Sequence, residues 1–207
     1  MTTAADPKAP FASAARSFAA LVHDIPADAW DGPGLGEWDL RSLVGHTSRS
    51  LTTVSTYLQT TAEREDIATA HDYYAKVNPS ALGMDPADVA ERGRQAGRDL
   101  GDDPAAAVNE LLDRVLGELA NIDNRLIKVL GGYGIRLFTY LPTRTFELAV
   151  HGLDIAGAVG LPFTLPTDVL DEAMVLAARI AVDNGQGQTV LLALTGRGGL
   201  PSPFSIV

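Results

Sequence analysis

The sequence of 207 residues contains no cysteine. This absence excludes disulfide bonds, thiolate metal ligands and a cysteine nucleophile. If thiol chemistry occurs on this protein, the thiol has to arrive with a partner molecule. A bound metal ion would have to be held by His, Asp, Glu or water.

Basic residues are also scarce, with 16 Lys and Arg against 26 Asp and Glu and a net charge of -10. Because the basic residues are scattered and phosphate binding needs them clustered, we predict no nucleic-acid partner. No apolar run approaches the ~18–20 residues of a transmembrane helix, so we predict no membrane partner. The N-terminus lacks the basic start and apolar block of a signal peptide, which predicts a cytoplasmic protein.

Apolar residues recur at helical spacing through most of the chain, which predicts a mainly α fold. We expect a single domain over 1–207, with a helical bundle over about 10–161 and a C-terminal helix and β hairpin over about 166–207. Asp39 is a predicted N-cap, and 63–84 carries no clear pattern. Helices are predicted at 10–24, 38–62, 86–100, 103–130, 143–161 and 167–183, a short strand or extended crossing at 135–140, and strands at 189–195 and 203–207.

The predicted helix at 143–161 carries a narrow polar strip between apolar walls. Its members are Arg144, Glu147, His151 and Asp154, which fall within ~80° of one another on a helical wheel. Such a strip indicates a face turned toward an enclosed space, where charges need partners. Glu147 and His151 lie one turn apart and can bind the same metal ion. The alternative is an ordinary Glu–His pair within one helix.

A metal site needs a third ligand, and the remaining histidines are His23, His46 and His71. His71 lies in the least regular segment and is predicted to be exposed. His23 ends the first helix, where it can neutralise the terminal carbonyls. His46 lies at the rim of the apolar stripe of its helix, ~120° from the centre of that stripe, where a side chain lines a cleft between helices. These positions favour His46 as the third ligand.

Two segments, GEWDLRSLVGHTSRS at 36–50 and TRTFELAVHGLDIAGAVGLP at 143–162, together resemble a known family. They look like the DinB-like metal-binding four-helix bundles. More narrowly, they resemble the mycothiol-dependent maleylpyruvate isomerase N-terminal domain group of actinobacteria. The matching features are Trp and Leu before the His of the first segment and Glu-x-x-x-His-x-x-Asp in the second. The ending LLALTGR is also similar, and the resemblance covers roughly 10–200.

The resemblance implies a divalent metal ion, usually zinc, held by His46, Glu147 and His151, although nickel, iron and manganese suit the same ligands. Asp154 matches the acidic position after the second His, where it would orient a ligand or a bound water. Arg144 has no firm family role, and it can pair with a carboxylate such as that of Asp154 or bind an anionic substrate. A mycothiol-like thiol is the implied cosubstrate.

Three functions are compatible with these residues. The first is a metal-dependent enzyme that uses a low-molecular-weight thiol for transfer or isomerisation on a small electrophilic substrate. The second is a metal-dependent hydrolase of the same fold, in which water takes the place of the thiol. The third is a non-catalytic metal-binding or ligand-binding module. A homodimer is compatible with all three.

Overall fold

The computed structural model describes residues 6–78 and 82–207. The helices and strands found in these residues are α1 (Lys8–His23), α2 (Leu40–Leu58), α3 (Ala70–Lys76), α4 (Pro86–Asp99), α5 (Pro104–Leu119), β1 (Leu126–Lys128), β2 (Gly134–Arg136), α6 (Leu137–Val159), α7 (Thr167–Asp183) and α8 (Gly187–Leu194). The predictions of a mainly α bundle and of a small β element are confirmed.

Helices α1, α2, α5 and α6 pack against one another and form the four-helix core. Helices α2 and α6 run antiparallel, because two contacts join their opposite ends. The hydroxyl group of Tyr140 donates to Oγ1 of Thr53 at 3.0 Å, and the rings of His46 and His151 meet with their centroids 5.1 Å apart. The packed faces are apolar and buried, and include Phe11, Phe18, Leu43, Leu51 and Leu148.

Local signals at the helix ends agree with the structure. Asp39 caps α2 as predicted, since its carboxylate accepts from the backbone N–H of Ser42 at 2.7 Å. Helix α3 lies in the segment that carried no clear pattern, and a capping box of Thr69 and Asp72 starts it. At the end of α6, Gly160 adopts a φ of 69°, a left-handed conformation that favours glycine.

The helix predicted at 103–130 is too long, because α5 ends at Leu119. Residues Leu126–Lys128 form β1 instead, which pairs antiparallel with β2. Ile127 and Val129 are buried on either side of the exposed Lys128. This alternation has the period of a strand, and the apolar residues around it hid that period in the sequence.

Helix α6 begins at Leu137, earlier than the predicted start at 143, and contains Pro142. A proline inside a helix removes one backbone hydrogen bond. Here the turn around it is held by the complete burial of Leu137, Tyr140 and Leu141. The predicted strand or crossing at 135–140 is therefore divided between the end of β2 and the first turn of α6.

The predicted C-terminal β hairpin is wrong. The stretch predicted as a strand at 189–195 lies largely in α8, and 203–207 forms no strand. A short apolar run is compatible with either a helix or a strand, and only a paired neighbour decides between them. The small sheet of the described residues instead joins α5 to α6.

The remaining helices cover the core from outside. Helix α4 lies along α2, α3 packs between α6 and α7, and α7 also contacts α1. Across 6–78 and 82–207, no helix is both long enough and apolar enough to cross a membrane.

Candidate metal centre

Helices α2 and α6 bring together the three residues that the sequence singled out as metal ligands. One potential ligand atom from each of His46, Glu147 and His151 lies within 4.8 Å of the other two. Glu147 and His151 are one turn apart on α6, and His46 faces them across the antiparallel α2. The side chains therefore converge from two helices on one point, which the helical wheel of α6 alone could not show.

The imidazole of His151 has both ring nitrogens engaged. Its Nδ1 lies 3.0 Å from Oδ2 of Asp154, so Nδ1 carries the proton that the carboxylate accepts. Its Nε2 faces Oε2 of Glu147 at 3.4 Å. The contact with Asp154 thus orients the ring so that Nε2 faces Glu147.

This donor set fits a divalent cation. Two ligand atoms of a tetrahedral zinc ion with bonds of 2.0–2.1 Å lie about 3.3 Å apart, close to the 3.4 Å between Nε2 of His151 and Oε2 of Glu147. Two neutral imidazoles and one carboxylate also leave a divalent ion at net +1. The ion would also place a positive charge beside the buried carboxylate of Glu147 in place of the proton of His151.

Helix α3 supplies a contact to Glu147 that the sequence did not predict. The hydroxyl group of Tyr74 lies 3.0 Å from Oε1 of Glu147 and 3.2 Å from the carbonyl oxygen of Thr143. Burial, together with the charge of Glu147, raises the pKa of Tyr74 well above its ordinary value, so the hydroxyl keeps its proton and can donate it. Oε1 is thereby held, and Oε2 is left facing His151.

The position of His46 depends on Trp38 and on α4. The ring of Trp38 lies against the imidazole of His46, with 4.5 Å between the centroids. The indole N–H of Trp38 donates to the carbonyl oxygen of Ala90 on α4 at 2.9 Å. Gly93, one turn later, has no side chain, and a Cβ there would collide with the indole. Helix α4 therefore holds the aromatic ring that supports His46.

Electrostatics favour the metal-binding protonation states of two of the three residues. Burial and the nearby His151 lower the pKa of His46 to about 4. Burial opposes ionisation of Glu147, but the hydrogen bond from His151 and the charge of Arg144 outweigh it and lower the pKa to about 2. His46 is therefore neutral and Glu147 ionised at neutral pH, as metal binding requires.

His151 is the member of the trio that holds a proton in the metal-free protein. Its burial works against a positive charge, but the hydrogen bonds to Asp154 and Glu147 outweigh this effect and raise the pKa to about 9. A metal ion bound at Nε2 would have to displace the proton that this nitrogen directs toward Glu147.

Two arginines lie one helical turn from the ligands, Arg49 after His46 and Arg144 before Glu147. Arg144 does not pair with Asp154, whose carboxylate accepts from His151. Its guanidinium lies over two aromatic rings, 5.0 Å from the centroid of Tyr140 and 5.2 Å from that of Tyr73. Within the described parts of the chain, neither arginine forms an ion pair with a carboxylate.

The site opens into a cleft of about 970 Å³. Helices α2, α3, α4, α6 and α7 contribute to its walls, together with residues 205–207 of the C-terminal tail. The side-chain amide of Asn184 donates to the carbonyl oxygen of Ile206 at 2.8 Å and so fixes the tail beside the cleft. The volume is sufficient for a small-molecule ligand.

A family model described as the mycothiol maleylpyruvate isomerase N-terminal domain matches residues 11–156. The chain belongs to this family. The resemblance inferred from the two motifs is thus confirmed, and the matched range contains the three candidate ligands, Tyr74 and Asp154. Helices α7 and α8 lie beyond the matched range. Neither a search of curated proteins nor a search of solved structures found a match.

Sequence reasoning missed several residues of the cleft. Tyr74 and His71 lie on α3, and a Thr-x-x-Asp signal at Thr69–Asp72 could have located the start of that helix. His71 is wrongly predicted to be exposed, since 23% of its side chain is accessible and its ring pairs with Asp183. No local signal connects α3 with α6 or α7, so the partners of these side chains were not predictable. His23 is exposed in the last turn of α1, as its predicted role there requires.

Proposed function

We propose that this member of the family is a metal-dependent enzyme that uses a low-molecular-weight thiol of the mycothiol type for transfer or isomerisation on a small electrophilic substrate. The observation that carries the proposal is the convergence of ligand atoms of His46, Glu147 and His151 within 4.8 Å, beside a cleft that His46 and Glu147 line. The family match supports the thiol, and the absence of cysteine from the chain is compatible with a thiol that arrives as cosubstrate.

In this proposal His46, Glu147 and His151 hold a divalent ion, zinc in the first instance, with nickel, iron or manganese as alternatives. Such an ion, when bound, supplies a Lewis acid that favours the deprotonated form of a thiol. Three protein ligands leave a position open, which is typical of catalytic and not of structural zinc sites. Asp154 orients His151 and Tyr74 orients Glu147, so that both ligands are held before the ion arrives.

The arginines of the cleft indicate that the substrate is negatively charged. Arg49 and Arg144 lie on facing helices at the same end of the ligand trio, and both line the cleft. A guanidinium presents a planar set of donors that matches a carboxylate. We therefore propose that the electrophile carries a carboxylate, which these two side chains bind while its reactive carbon lies toward the ligands.

Metal content tests the site. The protein would be purified without a nickel column, and bound metal measured by plasma mass spectrometry in the parent, His151→Ala and His23→Ala. His23 is an exposed histidine on α1 and serves as the matched control. We expect about one ion per chain in the parent and in the control, and loss of the ion in His151→Ala. Absence of metal from the parent even after incubation with zinc would refute the site.

Reaction with defined electrophiles tests the chemistry. Monomethyl maleate carries a carboxylate, and dimethyl maleate is its uncharged counterpart. With mycothiol and the metal-loaded protein, we expect formation of the thioether or the fumarate isomer from the monoester. Arg144→Gln should raise the KM for the monoester at least tenfold and leave the diester unaffected, while the exposed Arg114→Gln should change neither. Turnover without thiol would favour a hydrolase, and a metal-loaded protein without turnover would favour a binding module.

A further inference from the structure

A second histidine faces the cleft and lies outside the ligand trio. His71 on α3 and Asp183, the last residue of α7, form a close pair with Nδ1 and Oδ2 2.5 Å apart. Both side chains line the cleft that His46 and Glu147 also line. The imidazole is half-buried, so it is shielded from bulk water and still accessible from the cleft.

The pair lies close to the candidate metal ligands. His71 and Tyr74 are three residues apart on α3, so their side chains leave the helix on the same face, with Cβ atoms about 5–6 Å apart. The hydroxyl group of Tyr74 touches Glu147. His71 therefore lies on the same face of α3 as the residue that contacts Glu147, and it lines the same cleft as His46 and Glu147.

The contact with Asp183 determines which nitrogen of His71 is free. A carboxylate can only accept, so Nδ1 carries the proton of the pair and Nε2 is left to exchange a proton with a bound molecule. A carboxylate on Nδ1 also stabilises the imidazolium that forms when Nε2 takes up a proton.

We infer that His71, oriented by Asp183, is the proton donor for the substrate in this cleft, an inference that rests on the proposed function. When the sulfur of the thiol adds to a carbon–carbon double bond beside a carbonyl group, a C–S bond forms and the π pair moves to the neighbouring carbon. The Nε2–H bond of His71 then breaks and a C–H bond forms at that carbon. The thiol proton leaves to solvent, and neutral His71 recovers a proton from solvent, so the sum is thiol plus alkene giving thioether.

Other charged groups act on the same step, because several helices present them to the cleft. These groups are Arg49 on α2, Arg92 on α4, Arg144 and Glu147 on α6, and Asp183 on α7. The arginines and Glu147 are common to the parent and to a variant at position 71. A comparison of their pH profiles therefore isolates the contribution of His71.

The test uses the metal-loaded full chain with mycothiol and monomethyl maleate. In His71→Asn the side-chain amide can still donate to Asp183, so the link between α3 and α7 is kept while proton transfer is lost. We expect thioether formation to slow by 10²–10⁴-fold, as for the loss of a general acid. The pH profile of the rate in His71→Asn should also differ from that of the parent, because the proton donor is missing. His23→Asn is the matched control and should behave as the parent.

A second variant and a measurement without turnover complete the test. Asp183→Asn keeps an oxygen acceptor but removes its charge, and should slow thioether formation by a smaller factor than His71→Asn. Independently, monomethyl succinate, which cannot react, should shift the ring NMR signals of His71 in the metal-loaded protein. If His71→Asn had the rate and the pH profile of the parent, the assignment of His71 as proton donor would be wrong, while the proposed function would stand. Absence of thiol-dependent turnover in the parent would overturn the proposed function, and this inference with it.

Discussion

Replacement of Gly45 by alanine tests how α4 supports the site. Gly45 precedes His46 on α2 and meets α4 at a close backbone approach. A Cβ at this position would lie 2.1 Å from the backbone nitrogen of Gly97 and 2.4 Å from the carbonyl carbon of Ala96. Both neighbours are backbone atoms, so neither can rotate away, and the whole of α4 must move.

The size of the effect follows from these distances. Ordinary contacts between non-bonded atoms need about 3.5 Å, so the two helices must separate by about 1 Å or more. Overpacking of this kind costs about 1–3 kcal/mol, and we expect the upper part of that range for backbone neighbours. For a chain of this length, 3 kcal/mol lowers the Tm by about 6–12 °C. The shift of α4 also displaces Trp38 from His46, so we expect metal affinity to fall by about tenfold.

Urea unfolding of the metal-free protein, followed by circular dichroism, measures the first effect, and competition with a chelator measures the second. Gly117→Ala is the matched control, because a Cβ at Gly117 on α5 meets nothing within 4 Å. That change should stabilise the protein by about 0.5–1 kcal/mol through the helix propensity of alanine. The reasoning would be refuted if Gly45→Ala were as stable as the parent, since α2 and α4 could then not be in backbone contact.

Three further outcomes are expected. Tyr74→Phe removes the hydrogen bond to Glu147 and should weaken zinc binding by about 10–100-fold in a chelator competition; an unchanged affinity would show that the hydroxyl does not orient the ligand. Asp154→Asn should weaken zinc binding by a similar factor, and in the metal-free protein it should lower the pKa of His151 toward 6.5, as measured by NMR titration. The unfolding free energy of the metal-free protein should be largest near pH 6.5. Below that pH, His46 takes up a proton in the unfolded chain but not in the folded chain, where its pKa is about 4, so stability falls. Above that pH, His151 loses its proton in the unfolded chain but keeps it in the folded chain, where its pKa is about 9, so stability falls again. The loss at either extreme is on the order of 2 kcal/mol, and a chemical-denaturation series that is flat over pH 5–8.5 would contradict it.

Much of the fold was predictable where the signal lies within one helix. The cap at Asp39, the predicted start of α4 at residue 86 and the apolar stripe of α2 are local features, and the structure agrees with each of them. The errors have a common cause in partners that are distant in sequence. Residues 126–128 are a strand because β2 lies beside them, whereas 189–195 have no strand to pair with and most of them form α8.

The sequence by itself determined which side chains could form a metal centre. The spacing of Glu147 and His151 fixes them on one face of a helix, and the rim position of His46 directs it toward a cleft. The tertiary structure decided what surrounds these residues, namely the bonds of Tyr74 to Glu147, of Trp38 to α4, and of His71 to Asp183. The reason is physical. Helical periodicity is set by local backbone geometry, whereas contacts between helices depend on packing angles and close approaches, such as that at Gly45, which involve residues far apart in the chain.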